Sequence, residues 1–121
     1  MFRTSPVCGE NLGWRLETVV LTHLMRKCKN EGWDIYYLKE RSYECDFMVC
    51  DGNKVLQCIQ VSYDISSSKT RMREIKGLIH AHHKTKCKNL LLLTDHHYEE
   101  IDQDGLHIQI KPVYEWSTEY L

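Results

Sequence analysis

Glu44-Cys45-Asp46-Phe47-Met48-Val49-Cys50, then Asp51-Gly52, then Val55-Leu56-Gln57-Cys58-Ile59-Gln60-Val61-Ser62-Tyr63 is the stretch that decides the fold. Two β-rich runs meet across an Asp-Gly turn, which is the composition of a hairpin. The first run sets one acid, Asp46, among apolar neighbours. The second carries Gln60-Val61-Ser62 where apolar side chains are expected. A carboxylate inside a core strand costs free energy unless something there uses it. Alternate residues of a strand share a face, so Gln60 and Ser62 point the same way. Asp46 joins them only if the connecting loop is odd in length, as Asp51-Gly52-Asn53 would be, or if a bulge restores the parity.

Before the hairpin, Leu12, Leu16, Val19, Val20 and Leu24 recur at helical spacing until Asn30 and Gly32 close the segment. Residues 33–38 (Trp-Asp-Ile-Tyr-Tyr-Leu) are aromatic and β-branched, hence a strand, and Lys39 to Ser42 make a polar turn. After the hairpin, Ser66, Ser67 and Ser68 offer an N-cap to a helix over 68–83. Met72, Ile75, Leu78, Ile79 and His82 line one side of it, and the other side is basic. Leu90 to Thr94 is apolar throughout, as a strand covered on both faces would be. A polar loop through Asp104-Gly105 leads to a strand in which Leu106, Ile108 and Ile110 alternate with His107 and Gln109; Pro112 stops it, and residues 113–121 fit a short helix. The order is α-β-β-β-α-β with an added strand and helix. A crossover helix after a three-stranded meander lays Leu90–Thr94 parallel to one of those strands, giving a mixed α/β sheet flanked by helices.

The length of 121 residues suits one domain, with residues 1–10 read as a leader or linker. A net charge of −1 removes any bulk electrostatic drive toward nucleic acid or an anionic membrane, so such a contact needs a local patch. Leu90–Leu93 is the longest apolar run, too short to cross a bilayer, and Met1–Glu10 lacks a signal-peptide core; a cytoplasmic protein is expected. The cysteines (Cys8, Cys28, Cys45, Cys50, Cys58, Cys87) form no Cys-x-x-Cys pair and read as buried thiols. His83 and Cys87 have a spacing at which helical side chains share a metal, yet with His80 and His82 they read as packed or solvated side chains, as do His96 and His97. Lys69, Arg71, Arg73, Lys76, Lys84, Lys86 and Lys88 make one positive segment; of these Lys69, Arg71 and Arg73 lie nearest the hairpin and are the expected phosphate contacts.

This order, with Glu17 in the first helix, Asp46 in the second strand and a polar-x-polar triplet in the third, resembles the PD-(D/E)XK nuclease superfamily. Leu16-Glu17-Thr18, Glu44 to Val49, Ile59-Gln60-Val61-Ser62-Tyr63 and Arg71-Met72-Arg73-Glu74 are similar, more narrowly, to the C-terminal nuclease-like domain behind an AAA-type ATPase in many bacterial and archaeal proteins. The resemblance runs over nearly the whole chain. It implies a restriction endonuclease-like mixed sheet and a site in which carboxylates hold Mg²⁺ while a Glu-x-Lys triplet completes the machinery. Glu17 and Asp46 match the first two positions. Gln60 stands where the Glu would be and Ser62 where the Lys would be. The implied catalytic set is therefore Glu17, Asp46, Gln60 and Ser62, with Asp46, Gln60 and Glu17 as metal ligands. An amide oxygen brings no charge, and each lost charge near a divalent ion weakens binding by a few kcal/mol at an effective dielectric of ~20. Ser62 brings no cation; Lys69, Arg71 or Arg73 would have to replace it.

Two functions stand open on these residues. One is Mg²⁺-dependent phosphodiester hydrolysis of DNA or RNA by a degenerate site. The other is a non-catalytic module that keeps the fold to bind nucleic acid or a protein. No Gly-x-x-x-x-Gly-Lys-Ser/Thr occurs in these residues, so the ATPase half is not expected among them. An ATPase domain is an expected partner, and a second copy is another, through Trp33, Tyr36, Tyr37, Tyr114 and Trp116.

Overall fold

The run Leu90-Leu91-Leu92-Leu93 shows how the layers form in the computed structural model, which describes residues 9–119. These leucines belong to the central strand β4 (Leu90–Thr94), buried along its whole length. Leu90 and Leu92 pack into one core with Ile75, Leu78 and Ile79 of helix α2 (Ser68–Thr85). Leu91 and Leu93 pack into another with Val20 and Leu24 of α1 (Gly9–Glu31) and Trp116 of α3 (Val113–Glu119). Period-two alternation thus feeds two cores, and helices cover both faces.

The remaining strands are β1 (Asp34–Lys39), β2 (Glu44–Asp51), β3 (Lys54–Val61), β5 (Glu99–Gln103) and β6 (Leu106–Pro112). The sheet order is β1-β2-β3-β4-β6-β5. The β1–β2–β3 meander is antiparallel, β4 is parallel to β3 and β6, and β5 returns antiparallel to β6. This is a mixed six-stranded sheet with three flanking helices, and α2 is the crossover between β3 and β4. Helix α1 ends at Gly32, whose φ of +78° lets its N–H reach Cys28 O at 2.8 Å. Ser67 caps α2, its side chain accepting the Thr70 N–H, and Lys86 closes it in the left-handed region.

Several expectations need correction. The polar loop before Asp104-Gly105 contains β5. Its sequence Glu-Glu-Ile-Asp-Gln gives no apolar alternation, because an edge strand buries little and is held by pairing with β6. Val19 and Met72 are exposed rather than part of the apolar stripes, and Trp116 is buried in the α1-side core, so it cannot serve an aromatic dimer surface. Tyr36, Tyr37 and Tyr114 are exposed. The hairpin turn is Gly52-Asn53 with Asp51 opposite Lys54, an even loop; parity is restored by a register shift between Val49 and Cys50. Cys28, Cys45, Cys50, Cys58 and Cys87 are free and buried, while Cys8 and the proposed leader up to that residue lie outside the described residues, and Gly9 and Glu10 are helical. No helix among the described residues is long and apolar enough to cross a membrane.

Candidate functional site

The regular β2–β3 ladder stops at Phe47 opposite Ile59. One step further the strands are joined through side chains. The Asp46 N–H donates to Gln60 Oε1 at 2.8 Å, and the Val61 N–H donates to Asp46 Oδ2 at 2.8 Å. Gln60 Nε2 donates to Glu44 O at 2.7 Å and to Glu74 O, on α2, at 3.3 Å. The buried amide therefore stands in for a peptide group toward β2, satisfying the Asp46 N–H and the Glu44 carbonyl, and it adds a bond to a carbonyl of α2.

Around this junction lies a cleft of about 400 Å³, roofed on one side by the β1–β2 turn. Glu17 enters from α1, Asp46 from β2, Glu74 and Arg73 from α2. Helices on opposite faces of the sheet can both reach it because it sits at the sheet's end, where β2 begins and β3 finishes. Burial pushes the Asp46 carboxyl up to about 7; the Val61 N–H opposes this, and Glu17, Glu74 and Glu44 add repulsion. Burial also raises Glu17, with Glu44 adding to it, and raises Glu74 against the pull of Arg73. These carboxylates feel one another through a poorly solvated space.

Of the predicted catalytic set, Glu17, Asp46 and Gln60 line this cleft together. Ser62 instead lines an adjoining hollow of about 480 Å³ with Trp14, Tyr63 and Thr70, which shares Glu17, Arg73 and Glu74 with the cleft. Lys69 is exposed, Arg73 pairs with Glu74 at 3.2 Å, and Arg71 is turned away. Arg71 grips both Glu99 oxygens at 2.9 Å, tying α2 to β5, and together with His97 it holds the Glu99 carboxyl down at about 2. His80 meets Glu40 and stacks on Tyr43, which leaves it in a turn contact and not a metal cluster.

The residues fit the implied Mg²⁺ poorly. A hard cation wants several oxygens converging on it. Gln60 Oε1 already accepts from Asp46, and its nitrogen faces carbonyls, so the amide cannot turn toward an ion without breaking the junction. Asp46 spends one oxygen on Val61. Among the described residues no three His, Cys, Asp or Glu side chains are grouped to hold a metal.

Two residues of the site were given no role by the sequence reading, although Glu74 stands in the Arg71-Met72-Arg73-Glu74 piece that carries the resemblance. Glu74 is the one acid in an otherwise basic run from Lys69 to Lys76, beside the buried Ile75. Gly77 sits mid-helix, where glycine costs about 1 kcal/mol against alanine and so asks for a packing reason. That reason is the approach of the Gln60 amide and the Glu44 carbonyl.

A family model described as a domain of unknown function, DUF4143, matches residues 12–116. The chain is also 32% identical over 126 aligned positions to the uncharacterized protein MJ1544 of Methanocaldococcus jannaschii. The match takes in 99% of this chain and 28% of that relative, so the chain spans little more than a quarter of the relative's length.

Proposed function

This chain belongs to the DUF4143 family, and we propose that it is a nuclease-like module, of restriction endonuclease type, that binds DNA or RNA without hydrolysing it. The observation that carries this reading is the Gln60 amide. At the position where the superfamily places a metal-binding Glu, the side chain donates to the Glu44 and Glu74 carbonyls, which no carboxylate can do. With Gln60 and Ser62 in it, the β3 triplet supplies neither its acid nor its cation; the cleft's third carboxylate, Glu74, comes from α2 and is paired with Arg73.

Nucleic-acid binding rests on α2. Lys69, Arg73 and Lys76 are exposed at spacings of four and three, one ridge along the helix beside the cleft. Such a ridge meets a phosphate backbone without reading sequence. In this reading the domain works beside an ATPase domain, as its resemblance implies, with binding here and energy transduction elsewhere.

The opposing reading, weak Mg²⁺-dependent phosphodiester hydrolysis, draws on the mutual repulsion of Glu17, Asp46 and Glu74, which a divalent ion would relieve. One experiment separates the two. Wild type and Asp46→Asn are titrated with Mg²⁺ and Mn²⁺ and incubated with single- and double-stranded DNA and RNA. The non-catalytic reading expects salt-sensitive binding and no metal-dependent cutting by either protein. Cutting by wild type that Asp46→Asn abolishes would overturn it.

A further inference from the structure

We propose that the β1–β2 turn is a strap across the mouth of the cleft, held shut by an internal anion, Glu40, seated on two α2 side chains that an external phosphate would otherwise occupy. The identity of that phosphate rests on the nucleic-acid reading above; the strap itself does not.

The turn is a rigid unit. The Glu40 N–H donates to Tyr43 O at 2.8 Å and the Tyr43 N–H to Glu40 O at 3.3 Å, so residues 40–43 move as one piece. Glu40 and Tyr43 both line the cleft. Beyond the hairpin itself, the turn is fastened to α2 at two points. Glu40 Oε1 meets His80 Nε2 and Glu40 Oε2 takes Lys84 Nζ at 2.9 Å, while the Tyr43 ring stacks on the His80 ring at 4.3 Å and 11°. His80 and Lys84 are one helical turn apart, so both converge on a single carboxylate and each oxygen takes one partner. Two donors spaced this way grip phosphate oxygens equally well.

The contact is open to competition. The Lys84 side chain is 50% exposed and Glu40 34%, so a solvent-borne oxyanion can reach the same donors. Lys84 also lies two turns beyond Lys76 on α2, where a polyanion following the Lys69–Arg73–Lys76 ridge arrives next. Phosphate and Glu40 then compete for His80 and Lys84. Displacing Glu40 releases the Tyr43 stack and lifts the strap from the Asp46 side of the cleft. By the same linkage, the closed strap lowers affinity for the anion.

The test is amide hydrogen exchange over residues 39–46 in wild type, Glu40→Gln and Lys84→Gln, alongside fluorescence anisotropy with a single-stranded oligodeoxythymidylate. Loss of a half-exposed ion pair is expected to speed exchange in the strap by about threefold in both variants. Oligonucleotide affinity moves in opposite directions: Glu40→Gln tightens and Lys84→Gln weakens. Unchanged exchange in both folded variants, or matched weakening of binding by both, would overturn the strap. Faster exchange with no oligonucleotide bound by any protein upholds the strap and defeats the nucleic-acid reading instead. Should Glu40→Gln fail to fold, Lys84→Gln carries the exchange test alone.

Discussion

Gln60 can reach the main chain of β2 under α2 only because position 77 is glycine: a Cβ there would lie 2.3 Å from both Gln60 Nε2 and Glu44 O. Alanine at 77 would gain about 1 kcal/mol of helix propensity. Against that stands contact with a backbone carbonyl that cannot rotate away, and overpacking of this kind costs about 1–3 kcal/mol. The clash wins, because relieving it also detaches the amide from Glu44 and Glu74. Gly77→Ala is expected to lower stability by about 2 kcal/mol in urea denaturation, with faster exchange of the Asp46 and Val61 amides. A stabilised Gly77→Ala would show that the junction is looser than described.

Gln60→Glu makes the same point through charge. The substitution restores the superfamily's acid but removes the donor to Glu44 O and Glu74 O, and buries a carboxylate beside Asp46, Glu17 and Glu74. Leaving an uncompensated charge there costs about 3 kcal/mol or more at neutral pH. Part of this returns in acid, where the protonated Glu can donate again. Denaturation at pH 7 and pH 4.5 should therefore show a penalty that shrinks with acidity. If added Mg²⁺ rescues Gln60→Glu at pH 7 but leaves wild type unchanged, the amide is what keeps the metal out.

How far the sequence carried this depends on which interactions are local. The αβββαβ order was readable because periodicity and turn residues are local signals, and Leu90–Leu93 announced a strand covered on both faces. Asp46 and Gln60 were singled out correctly as neighbours across a hairpin. What Gln60 does was hidden, since its partners come from the start of β2 and from a helix, and only the crossover lays the Glu74 carbonyl of that helix over the Glu44 end of the hairpin. β5 was missed for the opposite reason: its order comes from pairing with β6 and from the Arg71–Glu99 tie, and an edge strand of Glu, Asp and Gln carries no pattern of its own. Arg71 looked like a neighbour of Arg73 by spacing, but a single partner on β5 pulls it elsewhere.

Asp46 gives the domain a pH dependence of unusual sign for a carboxylate. Its folded pKa, about 7, lies above the roughly 3.9 of an unfolded Asp. The native state therefore holds a proton that the unfolded chain has lost, and stability falls as pH rises from about 4 to about 7. Carboxylates such as Glu99, held down near 2, act oppositely and at lower pH. Asn at 46 keeps an oxygen for the Val61 N–H but cannot ionise. The stability of Asp46→Asn relative to wild type should thus rise between pH 4 and pH 8, by about 2–4 kcal/mol. Parallel curves for the two proteins would mean that Asp46 ionises normally and that the cleft is better solvated than its lining suggests.

Arg71 and Arg73 separate structure from binding two residues apart on the same helix. Arg71 is committed to both oxygens of Glu99, so Arg71→Ala should loosen β5 and speed exchange of its amides. With both partners partly exposed, the stability loss stays near 1 kcal/mol. Arg73 is exposed at its tip, and its pairing with Glu74 leaves guanidinium donors for a phosphate. Each phosphate contact contributes about −0.9 to the slope of log K against log salt on duplex DNA. Arg73→Ala, Lys69→Ala and Lys76→Ala should each flatten that slope by about one. Arg71→Ala should leave it unchanged while lowering the melting temperature. A flattened slope for Arg71→Ala would mean that Glu99 releases the arginine when nucleic acid binds, and that the β5 edge belongs to the binding surface.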